Sequence, residues 1–137
     1  MEIKECSKIY NTKSSKVYSC QYHVIFSPKY RRSVLINGID NRFKEIVFSL
    51  TEDFPFSIID MEVMPDHVHL LIDCDPDFGI GNVVKKIKGR SSHILRNEFP
   101  ELRRKLPSLW TRGKFISSVG SVSLEVVKKY IEDQKGV

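Results

Sequence analysis

Apolar residues follow two different spacings along this chain, and the changes between them predict where its elements begin and end. Residues 17–26 are dense in aromatic and β-branched side chains, which predicts a strand that ends before Pro28. After a turn at Gly38, apolar residues recur at helical spacing over residues 39–50, with Asp40 as the expected N-cap. The first part of the chain therefore predicts a strand followed by a helix.

Two further strands are predicted close together in the middle of the chain. Residues 57–64 and 67–74 are both rich in apolar residues, and only the tight Pro65-Asp66 turn separates them. Strands joined by two residues pair as an antiparallel hairpin. Residues 80–95 then carry apolar side chains at helical spacing, with lysine and arginine on the other side, which predicts an amphipathic helix.

The last third of the chain contains a basic stretch, a strand and a helix. The stretch between Pro100 and Pro107 is predicted to be a basic loop, and residues 109–119 predict a fourth strand. A final helix is predicted over residues 123–134. The order strand, helix, strand, strand, helix, strand matches the α+β ferredoxin-like (split βαβ) fold. That fold is an antiparallel sheet with helices on one face, and the last helix is an addition to it.

The length and composition of the chain indicate how many domains it has and where in the cell the protein is expected. One domain is expected over residues 1–137, in which residues 1–16 are polar and loop-like. No apolar run has the roughly 18 residues that a membrane helix needs, and the N-terminal segment lacks the apolar centre of a signal peptide. Cys6, Cys20 and Cys74 are too widely spaced for a zinc site or a disulfide framework. A soluble, cytoplasmic protein is expected.

The charge of the chain favours a polyanionic partner. Lys and Arg number 22 against 17 Asp and Glu, for a formal net charge of +5. So basic a domain is often attracted to polyanions such as nucleic acid, and the same excess is equally common in proteins that need charge only for solubility. Charge alone therefore does not distinguish a nucleic-acid-binding protein from one that is basic only for solubility.

His67 and His69 stand two residues apart in the second strand of the predicted hairpin. Side chains at this spacing project from the same face of a strand, so both imidazoles can bind one metal ion. Asp66, just before the pair, can contribute a carboxylate or orient an imidazole by a hydrogen bond. Two half-exposed polar residues are the ordinary alternative, and His23 and His93 are expected to be structural or surface residues.

Tyr130 and Gln134 are four residues apart on the predicted last helix, which makes them neighbours on one helical face. A phenol beside an amide oxygen can serve as a nucleophile and a metal ligand, and a core or interface aromatic is the ordinary alternative. Together with the histidine pair these residues fit the cleavage of nucleic acid, which needs a nucleophile and a cation on the phosphate. The pKa of a free tyrosine is about 10, and a metal and nearby cations favour its phenolate.

Four stretches of the chain resemble the HUH single-tyrosine transposases of the smallest insertion sequences, the IS200-like transposase family, whose relatives include the REP-associated tyrosine transposases. The stretches are residues 22–32, 64–72, 108–120 and 128–134, and they follow the order of the family. The second contains the histidine pair and the fourth contains the tyrosine, and the two together are highly specific. The resemblance spans residues 18–134.

This resemblance implies a role for each residue of the motifs. His67 and His69 match the histidine pair that binds a divalent metal, Mg²⁺ or Mn²⁺, Gln134 matches the third metal ligand, and Tyr130 matches the nucleophile. The implied activity is cleavage and rejoining of single-stranded DNA at element ends marked by imperfect hairpins, through a 5′-phosphotyrosine intermediate. Members of the family are typically homodimers, in which the tyrosine helix can complete the active site of the partner subunit.

Basic residues on several predicted elements are candidates for contacts with DNA phosphates, and binding through them should weaken steeply with salt. They are Lys29, Arg31, Arg32, Lys85, Lys86, Lys88, Arg90, Arg103, Arg104, Lys105, Arg112 and Lys114. Tyr30, Trp110 and Phe115 are candidates for stacking on unpaired bases. A solvated helix face and a buried tryptophan are the ordinary alternatives.

Two other functions stay open from the sequence. A non-catalytic module that binds single-stranded nucleic acid on the same fold explains the charge and the aromatic residues, but not the histidine pair together with the tyrosine. A metal-dependent phosphodiesterase that uses activated water makes Tyr130 a bystander. A covalent protein–DNA adduct distinguishes the transposase from both.

Overall fold

A computed structural model of the protein describes residues 11–13, 16–18, 20–119 and 124–134. The strands are β1 (Asn11–Lys13), β2 (Lys16–Tyr18), β3 (Gln21–Phe26), β4 (Phe56–Met64), β5 (His67–Cys74) and β6 (Phe115–Ser118). The helices are α1 (Ile39–Asp53), α2 (Ile80–Glu98), α3 (Pro100–Lys105) and α4 (Leu124–Asp133). The main sheet is antiparallel with the strand order β4-β5-β3-β6. This is the strand order of the split βαβ arrangement, so the predicted α+β ferredoxin-like fold is confirmed.

The two faces of the main sheet have different roles because side chains alternate along each strand. On β5, Val68 and Leu70 are fully buried in the core that α1 and α2 cover. His67 and His69 alternate with them and therefore lie on the opposite face. Ile25 of β3 is directly across from His69 in the pairing of β3 with β5, so it shares that face. One face of the sheet thus holds the core, and the other holds the histidines.

An aromatic cluster ties the helical layer to the sheet. Phe26 of β3, Phe43 of α1 and Trp110 pack edge to face, with ring centroids between 4.7 and 6.2 Å apart. The indole N–H of Trp110 donates a hydrogen bond of 3.0 Å to Ser91 Oγ in α2, which satisfies its polar atom inside the core. This cluster holds the segment before β6 against α2.

The start of α1 differs from the prediction in its cap. Gly38 is the N-cap, with a left-handed φ of 97°, and no side chain caps the helix there. The backbone N–H of Arg42 bonds the Gly38 carbonyl at 3.0 Å. Asp40 instead lies in the first turn, where its charge complements the positive end of the helix dipole. The expected Asp40 cap is therefore wrong.

The N-terminal part of the chain contains an additional hairpin. The predicted strand over residues 17–26 is divided between β2 and β3, and β2 pairs antiparallel with β1. Residues 11–13 and Lys16, which were expected to be loop-like within residues 1–16, are therefore strand residues. Residues 1–10, with Cys6, lie outside the described residues.

The stretch between Pro100 and Pro107 is a helix for its first six residues rather than a basic loop. Pro100 at the first helical position has a backbone angle already suited to a helix and lacks only an N–H that would be unpaired there. Glu101 lies in the first turn, and the three basic residues lie in the last turn, so both ends complement the helix dipole. Pro100 therefore favours the helix, and Pro107 lies beyond its last residue, Lys105.

The fourth strand is shorter than the predicted residues 109–119. Only Phe115–Ser118 pairs with β3, and Trp110 forms an isolated bridge to Pro28. Backbone bonds from Lys29 N to the Leu109 carbonyl (2.8 Å) and from Thr111 N to the Ser27 carbonyl (2.9 Å) flank that bridge. Proline has no N–H to donate, so the ladder cannot continue regularly through it.

The final helix α4 agrees with the predicted residues 123–134, of which Ser123 lies outside the described residues. Among the described cysteines, Cys20 and Cys74 are free thiols. None of the helices that the structure describes has the length and apolar character needed to cross a membrane.

Candidate active site

The histidine pair lies on the face of the central strand β5 that is opposite to the core covered by α1 and α2. His67 and His69 are 7% and 5% exposed, so neither is the half-exposed surface histidine that the ordinary alternative requires. The position of both side chains follows from strand alternation, since Val68 between them is fully buried on the other face. The two imidazoles nevertheless have different partners.

Asp66 holds His67 in a defined orientation. The Nδ1 atom of His67 is 2.8 Å from Asp66 Oδ1. Burial alone would raise the pKa of the Asp66 carboxyl, but the hydrogen bond with His67 and the charge of Arg31 outweigh it and lower that pKa. An ionised carboxylate can only accept, so Nδ1 of His67 donates to it, and the acceptor atom of the neutral ring is then Nε2. That Nε2 atom is buried and has no hydrogen-bond partner.

His69 is paired with a third histidine. Its Nε2 atom is 3.1 Å from His23 Nδ1, and the two rings are stacked with centroids 5.3 Å apart. Burial, and to a smaller extent the charge of His23, lowers the pKa of His69 to about 4, and burial also lowers the pKa of His23. Both imidazoles are therefore neutral at pH 7, and one ring N–H donates to the lone pair of the other.

Helix α4 packs on the same face of the sheet as the histidines. Ile131 of α4 and Ile25 of β3 are both buried and form a small apolar cluster with Tyr130 and Phe115, whose ring centroids are 5.0 Å apart. Because Ile25 lies across from His69, this cluster places the last turns of α4 next to the histidine-bearing strands. In a single chain, the tyrosine helix and the histidine pair therefore share one surface.

Tyr130 and Gln134 converge beside Gly113. The hydroxyl oxygen of Tyr130 and the Oε1 atom of Gln134 are each 3.8 Å from the position that a Cβ atom would take at Gly113. Both of these atoms are buried and lack a hydrogen-bond partner. The four-residue spacing thus brings the phenol and the amide to the same place, as the helical periodicity predicted.

These residues fit a divalent cation. His67 Nε2 and Gln134 Oε1 are acceptors that are buried without a partner, and leaving such an atom unpaired costs about 1–3 kcal/mol. Imidazole nitrogen and amide oxygen are ligands that Mn²⁺ and related cations accept. In the part of the chain that the structure describes, no three His, Cys, Asp or Glu side chains form a metal cluster.

Burial works against ionisation of the candidate nucleophile. It raises the pKa of Tyr130 to about 12, so the phenol is protonated at neutral pH. A neighbouring positive charge lowers the pKa of a tyrosine. A cation held by the adjacent ligands is therefore the group that could offset the burial of this phenol.

The predicted DNA-binding residues fall into two groups. Arg31 and Lys88 are bonded inside the protein: Arg31 bonds Asp66 and a carbonyl of α4, and Lys88 Nζ donates to the Thr111 carbonyl at 2.7 Å. The others remain available at the surface, with Lys29 positioned 5.2 Å from the ring of Tyr30. These surface residues are Lys29, Arg32, Lys85, Lys86, Arg90, Arg103, Arg104, Lys105, Arg112 and Lys114.

A basic cavity of about 450 Å³ separates α2 from the segment before β6. Lys85 and Lys88 line it from α2, and Arg112 and Lys114 line it from the opposite side. Trp110 contributes to its wall but is only 7% exposed, so the proposed stacking of Trp110 on bases is wrong. Arg90, with Lys85, lines a second and smaller cavity of about 330 Å³.

A family comparison matches almost the whole of this architecture. The sequence profile described as "Transposase IS200 like" matches residues 16–134, which include β2 to β6 and all of α4. The chain belongs to the IS200-like transposase family. Membership implies DNA strand transfer and, in general, a divalent metal.

Curated relatives of this IS200-like transposase cover the same range. The chain is 37% identical over 120 residues to the ISDra2 transposase TnpA of Deinococcus radiodurans, covering 86% of each protein. It is 28% identical over 123 residues to the transposase for insertion sequence element IS200 of Salmonella typhimurium, covering 86% of this chain and 81% of that one.

Solved structures confirm the fold of the transposase. A crystal structure of a putative transposase from Deinococcus radiodurans superimposes with a TM-score of 0.83 at 30% identity, over 93% of this chain and 99% of that one. A REP-associated tyrosine transposase bound to a REP hairpin superimposes with a TM-score of 0.57 at 15% identity, over 95% of this chain and 69% of that one. The second likeness shows the fold alone.

Sequence reasoning about this transposase missed Gly113 at the site and assigned other roles to Arg31, a predicted DNA contact, and to His23. His23 was expected to be structural or superficial, yet it contacts His69. The predicted strand order places the first strand beside the histidine strand, which was a signal for His23. Gly113 beside Tyr130 and Arg31 beneath α4 had no such signal, because loop conformation brings both of them to the site.

Proposed function

We propose that this IS200-like transposase cleaves and rejoins single-stranded DNA through a covalent bond to Tyr130. The observation that carries the proposal is the set of three buried polar atoms without partners, His67 Nε2, Tyr130 OH and Gln134 Oε1, on one face of the sheet. Such atoms are costly in a folded protein unless a ligand satisfies them. A scissile phosphate and a cation together supply the missing partners.

The residues divide the chemistry between them. His67, His69 and Gln134 would hold a divalent metal, Mg²⁺ or Mn²⁺, and the chemistry it supplies when bound is neutralisation of charge on a non-bridging phosphate oxygen. Asp66 accepts a hydrogen bond from Nδ1 of His67, and this contact orients the ring so that Nε2 points away from Asp66. His69 Nε2 can serve as a ligand once it releases His23.

Tyr130 is the nucleophile of the proposed step. Its oxygen forms a bond to phosphorus while the bond from phosphorus to the 3′ oxygen breaks, and the bonding electron pair leaves with that oxygen. The phenol proton passes to solvent, and the released 3′ oxygen takes up a proton. The product is a 5′-phosphotyrosine that keeps the phosphodiester energy. A second 3′ hydroxyl can then attack that phosphorus, rejoin the strand and release Tyr130.

The substrate and the assembly are part of the same proposal. Single-stranded DNA next to imperfect hairpins is the expected substrate, held by the basic surface that includes Arg112 and Lys114. Each chain offers one histidine pair and one tyrosine, whereas joining two ends requires two cuts. A homodimer is therefore the expected active form, with the tyrosine helix acting on its own subunit or on the partner subunit.

The decisive experiment is a test for the covalent adduct. The protein is incubated with labelled single-stranded DNA that carries the hairpins flanking its own gene, with Mn²⁺ or Mg²⁺, and the products are resolved under denaturing conditions. We expect a labelled protein–DNA adduct that disappears with EDTA and in Tyr130→Phe. His67→Ala should also lose the adduct while hairpin binding persists. Normal cleavage by Tyr130→Phe would instead indicate activated water, and metal-independent binding without cleavage would indicate a non-catalytic module.

A further inference from the structure

Apolar packing and one charged side chain contact the C-terminal half of α4. Among the described residues, the apolar cluster beneath it contains the buried Ile131 and Ile25 and the partly buried Tyr130 and Phe115. In addition, Arg31 Nη1 donates a hydrogen bond of 2.8 Å to the main-chain oxygen of Ile131. That oxygen belongs to the last turn of a helix, where carbonyls have no donor within the helix and carry the negative end of its dipole.

The same guanidinium also reaches the histidine pair. Arg31 Nε donates to Asp66 Oδ2 at 2.8 Å, and the other oxygen of this carboxylate is 2.8 Å from His67 Nδ1. One carboxylate thus holds the arginine and the imidazole at once. The contacts form a continuous path from the α4 backbone, between Tyr130 and Gln134, through Arg31 and Asp66 to His67.

The backbone at Arg31 is held in a conformation that non-glycine residues seldom adopt. Tyr30 and Arg31 have φ angles of 59° and 51°, in the left-handed region. Such conformations persist where the surroundings determine them, and they cluster at functional sites. Here they turn the Arg31 side chain inward, so that it is only 10% exposed, whereas the next residue, Arg32, remains exposed.

We infer that Arg31 is a positioning residue that couples the docking of α4 to the orientation of His67. An arginine suits this place because its planar fork can bond a carboxylate and a carbonyl simultaneously, which a lysine ammonium at the same position does with less geometric definition. When the path is intact, Tyr130 and Gln134 lie on the face that carries the histidines. When it is broken, α4 loses a charged contact and Asp66 loses one of the two side chains that hold its carboxylate beside His67. This inference deepens the function proposed for Tyr130 and the metal ligands.

The first test measures the docking of α4 without any DNA or metal. Hydrogen exchange of the main-chain amides of residues 124–134 is followed by mass spectrometry in the wild type, Arg31→Ala, Arg31→Lys and Arg32→Ala. We expect exchange in α4 to be about 10-fold faster or more in Arg31→Ala, since a hydrogen bond from a charged group is lost, with a smaller increase in Arg31→Lys. Arg32→Ala removes the same charge from the neighbouring exposed residue and should leave α4 exchange as in the wild type.

The second test measures the other end of the path. Mn²⁺ affinity is determined by electron paramagnetic resonance for the same variants and for Asp66→Asn. Loss of the residue that orients a histidine ligand typically weakens metal binding about 10–100-fold, so Arg31→Ala and Asp66→Asn should both show a weakening and Arg32→Ala should not. At saturating DNA concentration, the Arg31 variants should also cleave DNA more slowly than the wild type. Their affinity for the hairpin should be reduced no more than the affinity of Arg32→Ala is.

The outcomes separate this inference from the proposed function. Equal α4 exchange in Arg31→Ala and Arg32→Ala would overturn the positioning role, as would loss of hairpin affinity as the main effect of Arg31→Ala. Failure of Tyr130→Phe to abolish the adduct would overturn the nucleophile but would leave the exchange result unchanged. Thermal unfolding monitored by Trp110 fluorescence shows whether each variant is folded. If Arg31→Ala does not fold, Arg31→Lys provides the test of the inference.

Discussion

At the scale of single residues, the two histidines of the pair differ more than their spacing suggests. His67 bonds an ionised carboxylate through Nδ1 and keeps a free lone pair on Nε2. His69 shares its Nε2 atom with a neutral imidazole, that of His23. In the proposed site, His67 Nε2 would be available to a metal without rearrangement, whereas His69 Nε2 would first have to release His23. In this structure, His23 is the partner that satisfies the buried Nε2 atom of His69.

The contribution of His23 to stability can be measured directly. His23→Phe keeps an aromatic ring on β3 but leaves His69 Nε2 buried without a partner. We expect the free energy of unfolding to fall by about 1–3 kcal/mol, the cost of an unsatisfied buried polar atom. Urea unfolding in metal-free buffer measures it. His93→Phe, at an exposed position of α2, is the matched control and should change stability by less than about 0.5 kcal/mol. Equal effects of the two substitutions would contradict the role of His23.

At the scale of elements, Lys88 holds the segment before β6 against α2. Its ammonium donates to the carbonyl oxygens of Thr111 and Gly113 at 2.7 and 3.3 Å and lies 5.6 Å from the ring of Phe26. Gly113 is the residue beside which Tyr130 and Gln134 converge. An interior lysine of α2 therefore supports one wall of the site from the opposite layer of the protein.

The burial of Lys88 predicts a pH dependence of stability. Burial, with a smaller contribution from the charge of Lys114, lowers the pKa of Lys88 to about 8 from its ordinary value of 10.5. Between these two values the unfolded chain binds the proton more readily than the folded one, so this residue adds stability as the pH rises above about 8 and loses it as the pH falls through that value.

This dependence can be isolated with one substitution. The difference in unfolding free energy between the wild type and Lys88→Met should shift in favour of the wild type as the pH increases from 7.5 to about 10. Lys85→Met, an exposed neighbour on the same helix, should give a profile parallel to that of the wild type. Denaturant titrations at four or five pH values measure all three profiles, and a Lys88→Met profile parallel to the wild type would contradict the shifted pKa.

At the scale of the whole molecule, the basic surface and the candidate active site meet at one segment. Arg112 and Lys114 line the basic cavity beside α2, while Gly113 between them faces Tyr130 and Gln134. A DNA strand bound in this cavity, as the proposed function requires, would thereby pass beside Tyr130. The net charge of +5 gives this path its long-range attraction for phosphates.

The salt dependence of DNA binding tests this path. Each phosphate contact with single-stranded DNA contributes about 0.7 to the slope of log affinity against log salt concentration. Arg112→Ala combined with Lys114→Ala should therefore reduce the slope by about 1.4. Fluorescence anisotropy at several salt concentrations measures the slope. Arg104→Ala with Lys105→Ala removes the same charge from α3, and an equal reduction by that pair would indicate general attraction instead of a defined path.

Several parts of the fold were predictable because they depend on local sequence. The β4–β5 hairpin and the starts of α1 and α2 follow from apolar spacing and from short turns. The helix α3 and the shortened β6 were not predicted. In α3, Pro100 at the first helical position and the order of charges favour a helix between two prolines that suggested a loop, and in β6 the bridge to Pro28 stopped the ladder. Both incorrect predictions, the loop at α3 and the longer strand at β6, fall where two local features of the sequence favour different structures.

The sequence by itself determined which residues the site can use. Strand alternation places His67 and His69 on one face, and helical spacing places Tyr130 beside Gln134, since both periods are properties of the backbone. Only the tertiary structure decided which partners these residues meet. The sheet register brings His23 to His69, and a left-handed turn brings Arg31 between Asp66 and the last turn of α4. Such contacts join residues up to 100 positions apart, and no local spacing encodes them.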